Sequence, residues 1–183
     1  MLFRRIPAAL GIAGLLCLPA TAAQAAEPSE QDAAFLRAAH QANLAEITAG
    51  RIAWQKTTDP TVKKLAATFM RDHIHMDAEL YLTARRLRVV LPNAPTPEQQ
   101  ALARRYEVAG ADTFDEYYIA TQLAAHRATI QAAQTQVEEG DDPAVRALAR
   151  RATQTIAHHQ VQLRAAAEAE GMAGYVETGG RAR

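Results

Sequence analysis

Apolar residues recur along this chain at alternating spacings of three and four, the rhythm of helices that bury one face in a bundle. Four stretches carry it. The first runs Phe35, Ala39, Ala42, Glu46, Ala49, Ala53, and the second Val62, Ala66, Phe69, His73, Met76, Leu80, Leu87. The third runs Ile119, Leu123, His126, Ile130, Ala133, Val137, and the fourth Val145, Ala149, Ala152, Ile156, His159, Leu163, Ala166. Each seam is apolar except at one ionisable position: Glu46, His73, His126 and His159.

Local signals set the helix ends. Ser29 opens the first helix, with Asp32 as a weaker version of the capping-box acid, and the pattern runs to about Lys56. Asp59 is a good N-cap and Pro60 suits the first helical position of a second helix that reaches about Val89. Pro92, Pro95 and Pro97 mark a crossing segment with a short helix from about Glu98 to Ala109. After Gly110 a third helix starts near Asp112 or Thr113 and ends before Gly140; Asp142-Pro143 starts the fourth, which ends at Gly171. The run Asp59-Pro60-Thr61-Val62-Lys63-Lys64-Leu65-Ala66 is echoed by Asp142-Pro143-Ala144-Val145-Arg146-Ala147-Leu148-Ala149, which suggests two similar hairpins packed together. The expected fold is therefore all-α: an antiparallel up-down-up-down four-helix bundle over residues 26–171, a short extra helix in the crossing segment, and a flexible tail over 172–183.

Composition agrees. Hydrophobic residues make up 49% of the 183, but aromatics only 5%, with alanine, the best helix former, dominant. The N-terminus reads as a cleaved secretory signal peptide over residues 1–25: Arg4 and Arg5, an apolar run from Ile6 to Leu18 too short to span a bilayer comfortably, Pro19, and small-residue cleavage after Ala23-Gln24-Ala25. An uncleaved membrane anchor is the alternative. A lipidated Cys17 is disfavoured by Leu16 before it. Cleavage leaves 18 basic against 20 acidic side chains and removes the only cysteine, so no disulfide forms. The expected location is the periplasm or cell envelope. No basic patch points to nucleic acid. The run Arg85, Arg86, Arg88 reads as a solvated face, with peripheral contact to anionic lipid left open. Homo-oligomerisation is left open too.

The four seam polars fall at similar depth. Glu46 and His73 stand about 13 residues from Asp59-Pro60, and His126 and His159 about 14 to 19 from Asp142-Pro143, a spread of roughly 9 Å at ~1.5 Å per residue. Buried carboxylate and imidazole are costly unless paired or metal-bound. Two readings stay open: a hydrogen-bond network that fixes the register, or a single Zn, Fe or Cu ion held by some of Glu46, His73, His126 and His159.

These residues also carry a resemblance. Phe35, Ala39, Asn43-Leu44-Ala45-Glu46-Ile47, Gly50 and Ala53, then Val62, Asp72-His73 and Leu80, then Phe114-Asp115, Tyr118, His126, Asp142-Pro143 and His159 resemble the bacterial family called domain of unknown function 4142, grouped with ferritin-like bundles. The resemblance implies an exported helical bundle and no established activity. Ferritin-like di-iron sites take a Glu from two helices and Glu-x-x-His from the other two. Here only Glu46 and Asp72-x-x-His75 approach that, so too few carboxylates remain to bridge two irons.

Of the other residues, Asp72, His75 and Glu79 read as a solvated stripe, with supporting partners or extra ligands of the cluster as the alternative, His40 and His158 as exposed, Trp54 as a plug at the bundle end, and Tyr117 and Tyr118 as packing residues. Asn43 reads equally as a cluster partner or as a packing residue. The one serine, Ser29, is a cap, and no P-loop or nucleophile elbow is present. With no complete catalytic set, the reading favours a non-enzymatic binding or interaction module, with a metal-binding or redox protein as the alternative.

Overall fold

The computed structural model describes residues 27–172; the segment read as a signal peptide and residues 173–183 lie outside them. Among the described residues the protein is all-helical, with five helices and no strand: α1 (Glu30–Lys56), α2 (Pro60–Arg86), α3 (Pro97–Val108), α4 (Ala111–Glu139) and α5 (Pro143–Ala169). The starts follow the sequence signals. Ser29 Oγ accepts from the Asp32 amide at 3.2 Å. Asp59 caps α2 through the Val62 amide at 2.8 Å, and Asp142 caps α5 through the Ala144 amide at 2.7 Å, each followed by proline at the first turn. Thr96 and Gln99 form a reciprocal capping box on α3.

α1 packs on α2 and α4 on α5, and the two pairs meet through α1 with α4 and α2 with α5. The expected up-down-up-down order is not what the chain follows. Leu36 at the start of α1 and Leu87 after α2 share one apolar cluster with Val145 and Leu148, whereas Ile52, Val62, Phe114 and Leu163 share another. α2 and α4 therefore run the same way, and the segment between them must travel the length of the molecule. It does so beside α1: Gln41 donates to the Ala94 carbonyl at 3.1 Å, and Lys56 to the Glu107 carbonyl at 2.8 Å. The prolines that mark this segment end α2 but do not reveal that the chain doubles back, and one such crossover is a known variant of bundle connectivity.

Asp32 ties the two hairpins together at one end. Fully buried, it accepts from Ser29 Oγ at 2.9 Å, Gln136 Nε2 at 2.6 Å and the Asp142 amide at 2.9 Å. At the other end of α5, Gly171 adopts a left-handed φ of 71°, which any side chain would strain, and turns Met172 back so that its amide meets the Ala167 carbonyl at 2.8 Å. Met172 is buried in the core, so the packed region extends one residue past the expected boundary. Trp54 is a further correction: it is half-exposed, with Lys63 Nζ 5.2 Å from its ring, and plugs nothing.

Between the two apolar clusters lies a polar layer. On α2, Phe69 belongs to one cluster and Leu80 to the other, and His73 stands between them. No helix of the described residues is long and apolar enough to cross a membrane.

Candidate metal centre

Three helices deliver one histidine each into that layer. His73 on α2, His126 on α4 and His159 on α5 are at most 2% exposed, and one ring nitrogen from each lies within 4.8 Å of the other two. Phe69 roofs the group, its ring centre 4.3 Å from that of His159 and 5.2 Å from that of His126. His159 is reachable because α2 and α5 pack side by side, and His126 because α4 pairs with α5.

The hydrogen bonds around the rings decide their tautomers. His73 Nδ1 lies 2.9 Å from Asn43 Oδ1, an acceptor, so Nδ1 carries the hydrogen and Nε2 keeps its lone pair. The Asn43 amide is oriented by its own nitrogen, which donates to Asp77 Oδ1 at 3.4 Å, and Asp77 also accepts from His40 Nδ1 at 2.7 Å. His126 Nδ1 donates to the Gln122 carbonyl at 3.0 Å, one helical turn back, freeing Nε2. His159 Nε2 donates to Asp72 Oδ2 at 3.0 Å, freeing Nδ1.

Two of the free nitrogens then face each other. His126 Nε2 and His159 Nδ1 are 3.3 Å apart, and His73 Nε2 is buried with no partner among the described residues. Two lone pairs at that distance repel unless a cation stands between them. A proton there would make an imidazolium, which this interior disfavours: burial, then the neighbouring His159, lowers His126 to about 3. His73 is held well below its ordinary range by burial and then by His126 and His159. Burial lowers His159 as well, although Asp72 opposes it. Asp72 stays ionised: burial would raise it, but the hydrogen bonds from His159 and Arg71 outweigh that and hold it below the usual carboxylate range. Backing of this kind, carboxylate or carbonyl behind each imidazole, is how proteins aim histidines at a metal and fix the coordinating nitrogen.

Glu46 is not part of this group. The α1–α2 register, pinned where Asn43 meets His73, puts Asn43 in the histidine layer and Glu46 one turn, roughly 4.5 Å, further along. Counting both residues from Asp59-Pro60 missed this: Asn43 and His73 each stand 13 residues from their own helix's end at the turn, Lys56 and Pro60, whereas Glu46 stands 10 from Lys56. Glu46 instead shares a separate cavity with Gln122 and Tyr106. Its Oε2 is buried without a partner among the described residues, and burial raises its carboxyl to about 7 against the opposing pull of the Gln122 amide.

The structure also changes the roles of residues read as peripheral. Asp72 is not a free solvated group but the support of His159, because a residue flanking the α2 seam faces α5. His40 is buried rather than exposed and holds Asp77. Asn43 takes the cluster role. His75 and His158 are exposed, as is Glu79, which pairs with Arg151 at 3.0 Å. Asp77 and Gln122 went unnoticed in the sequence; the available signal was their position, one turn after His73 and one turn before His126.

Comparison with known proteins adds the family and a shared fold. No curated protein matches the chain. A solved structure titled as a crystal structure of a DUF305 fragment from Deinococcus radiodurans superposes with a TM-score of 0.69 at 12% identity, covering 76% of this chain and 97% of that one. That likeness concerns the fold alone. A family model described as "Domain of unknown function (DUF4142)" matches residues 17–166, and the chain belongs to that family.

Proposed function

We propose that this protein is an exported, non-enzymatic metal-binding protein of the cell envelope, a four-helix bundle that holds one Zn, Fe or Cu ion between His73, His126 and His159. The observation that carries the reading is the convergence of three buried imidazoles, each with one ring nitrogen committed as a donor. Imidazole donors suit those ions. In a tetrahedral zinc site with Zn–N near 2.05 Å, ligand nitrogens lie about 3.3 Å apart, the distance between His126 Nε2 and His159 Nδ1. His73 closes onto the same ion by a modest side-chain shift.

Binding rather than turnover fits the enclosure: the three rings are almost wholly shielded from solvent. Among the described residues no carboxylate joins the converging atoms, so the group they form lacks the bridging ligands of a di-iron centre. The alternative, a metal-free bundle in which the histidines only fix the register, is separated by metal analysis of the chain purified without a histidine tag. One equivalent of Zn or Cu, lost in His73→Ala and in His126→Ala while circular dichroism stays helical, supports the site. Metal-free protein whose thermal midpoint does not move when Zn, Cu or Fe is added dismisses it.

A further inference from the structure

The second polar spot of the interior lies beside the first and has its own cavity. About 220 Å³ opens between α1, α3 and α4, walled by alanines such as Ala42, Ala45 and Ala103 and by Leu102. A dry cavity of ~150 Å³ already accepts benzene, so the space suits a ligand of several heavy atoms. Its lining carries one carboxylate, Glu46, and no basic side chain. Glu46 Oε2 and Gln122 Oε1 are both buried and find no partner among the described residues; Gln122 is only 1% exposed.

We propose that this cavity is a binding site for a small primary ammonium ion, with N–H groups directed to Glu46 Oε2 and Gln122 Oε1 and a short alkyl chain against the alanine walls. The match is one of chemistry. Two unfilled oxygens, that of Gln122 and that of Glu46 in its ionised form, call for a donor of at least two hydrogens. A single carboxylate without a countercharge calls for one positive charge. A neutral alcohol offers one hydrogen and no charge, and a hard metal ion wants more oxygen ligands than this apolar wall supplies. Gln122 belongs to both sites, its carbonyl holding His126 and its amide facing the cavity. The ammonium site nevertheless rests on groups other than the three histidines and stands or falls separately from the metal reading.

The test is titration of the metal-free protein with propylammonium, followed by calorimetry and by amide chemical shifts. The expected result is one saturable site, weakened at least tenfold in Glu46→Gln. Ala103→Leu, which leaves the carboxylate in place and fills the cavity from α3, weakens it to the same degree. His73→Ala leaves it unchanged. Equal binding of 1-propanol, displacement by Ca²⁺ or Mn²⁺ at equimolar concentration, or undiminished binding in a folded Glu46→Gln protein would each overturn the proposal.

Discussion

His126 Nε2 and His159 Nδ1 meet at 3.3 Å with their lone pairs facing, because each ring has already spent its one hydrogen elsewhere, on the Gln122 carbonyl and on Asp72. The Asp72 contact does two things for His159: it fixes which nitrogen is free, and its charge makes that nitrogen a stronger donor to a cation. Asp72→Asn keeps an acceptor in place and removes the charge. It is therefore expected to lower zinc affinity about 10- to 100-fold with little change in metal-free stability. Competition against a chromophoric chelator measures this, and an affinity equal to that of the unaltered chain would reduce Asp72 to a surface residue.

Asn43 performs the matching task for His73, but from a buried position, so its loss acts on the fold as well. Asn43→Ala strands His73 Nδ1 without an acceptor and leaves Asp77 with one donor fewer. The cost of an unsatisfied buried donor is about 1–3 kcal/mol. Urea unfolding of the metal-free protein should show a loss of that size, together with weaker metal binding. A variant as stable as the parent would mean that His73 takes its hydrogen bond elsewhere.

How much of this was legible beforehand follows from what a seam pattern encodes. The three- and four-residue rhythm reports which residues face inward, so His73, His126 and His159 stood out, as did the caps at Ser29, Asp59 and Asp142. It does not report which two neighbours a helix has. Asp72 and His40 flank their seams, and only the packing of α2 against α5 and of α1 against α2 turns those flanks into interfaces. Nor does it fix the register between helices to better than a turn, which is why Glu46 was expected among the histidines. The direction of α4 was likewise hidden, since the proline-rich crossing segment says where α2 stops but not that the chain returns along α1.

The register itself can be tested at Gly50. A Cβ there would lie 2.8 Å from the Ala66 carbonyl oxygen and 2.9 Å from Met70 Cβ, so α1 and α2 touch backbone to backbone at this point. Alanine should improve helix propensity by about 1 kcal/mol, but the helices cannot separate without loosening the Asn43–His73 contact. Overpacking of this kind costs about 1–3 kcal/mol, so Gly50→Ala is expected to lower the thermal midpoint overall. Gly110→Ala is the control, since its Cβ meets nothing nearer than Thr113 Oγ1 at 3.9 Å. Should Gly50→Ala melt at or above the parent temperature, the close approach of the two helices is wrong.

Glu46 gives the protein a pH dependence whose sign is opposite to that of an ordinary salt-bridged acid. Its carboxyl is raised from 4.5 to about 7 by burial, so the folded state holds a proton that the unfolded state releases. The stability tied to the neutral form is complete below about pH 4.5, is lost as pH rises through 7, and stays lost above it; a shift of this size corresponds to roughly 3 kcal/mol. The facing groups do not mask it: Tyr106 on α3 and Tyr118 on α4 are both pushed up by burial and remain neutral throughout, and Gln122 does not titrate. The histidines work in the other direction below about pH 6.5, but they are the same in Glu46→Gln. The difference in stability between Glu46→Gln and the parent therefore isolates the carboxyl. That difference should move in favour of the glutamine variant by roughly 2.5 kcal/mol between pH 5 and pH 8, the remainder falling below pH 5. Urea titrations of the metal-free proteins at several pH values measure it; a difference that stays constant across that range would show a carboxyl titrating in its ordinary place.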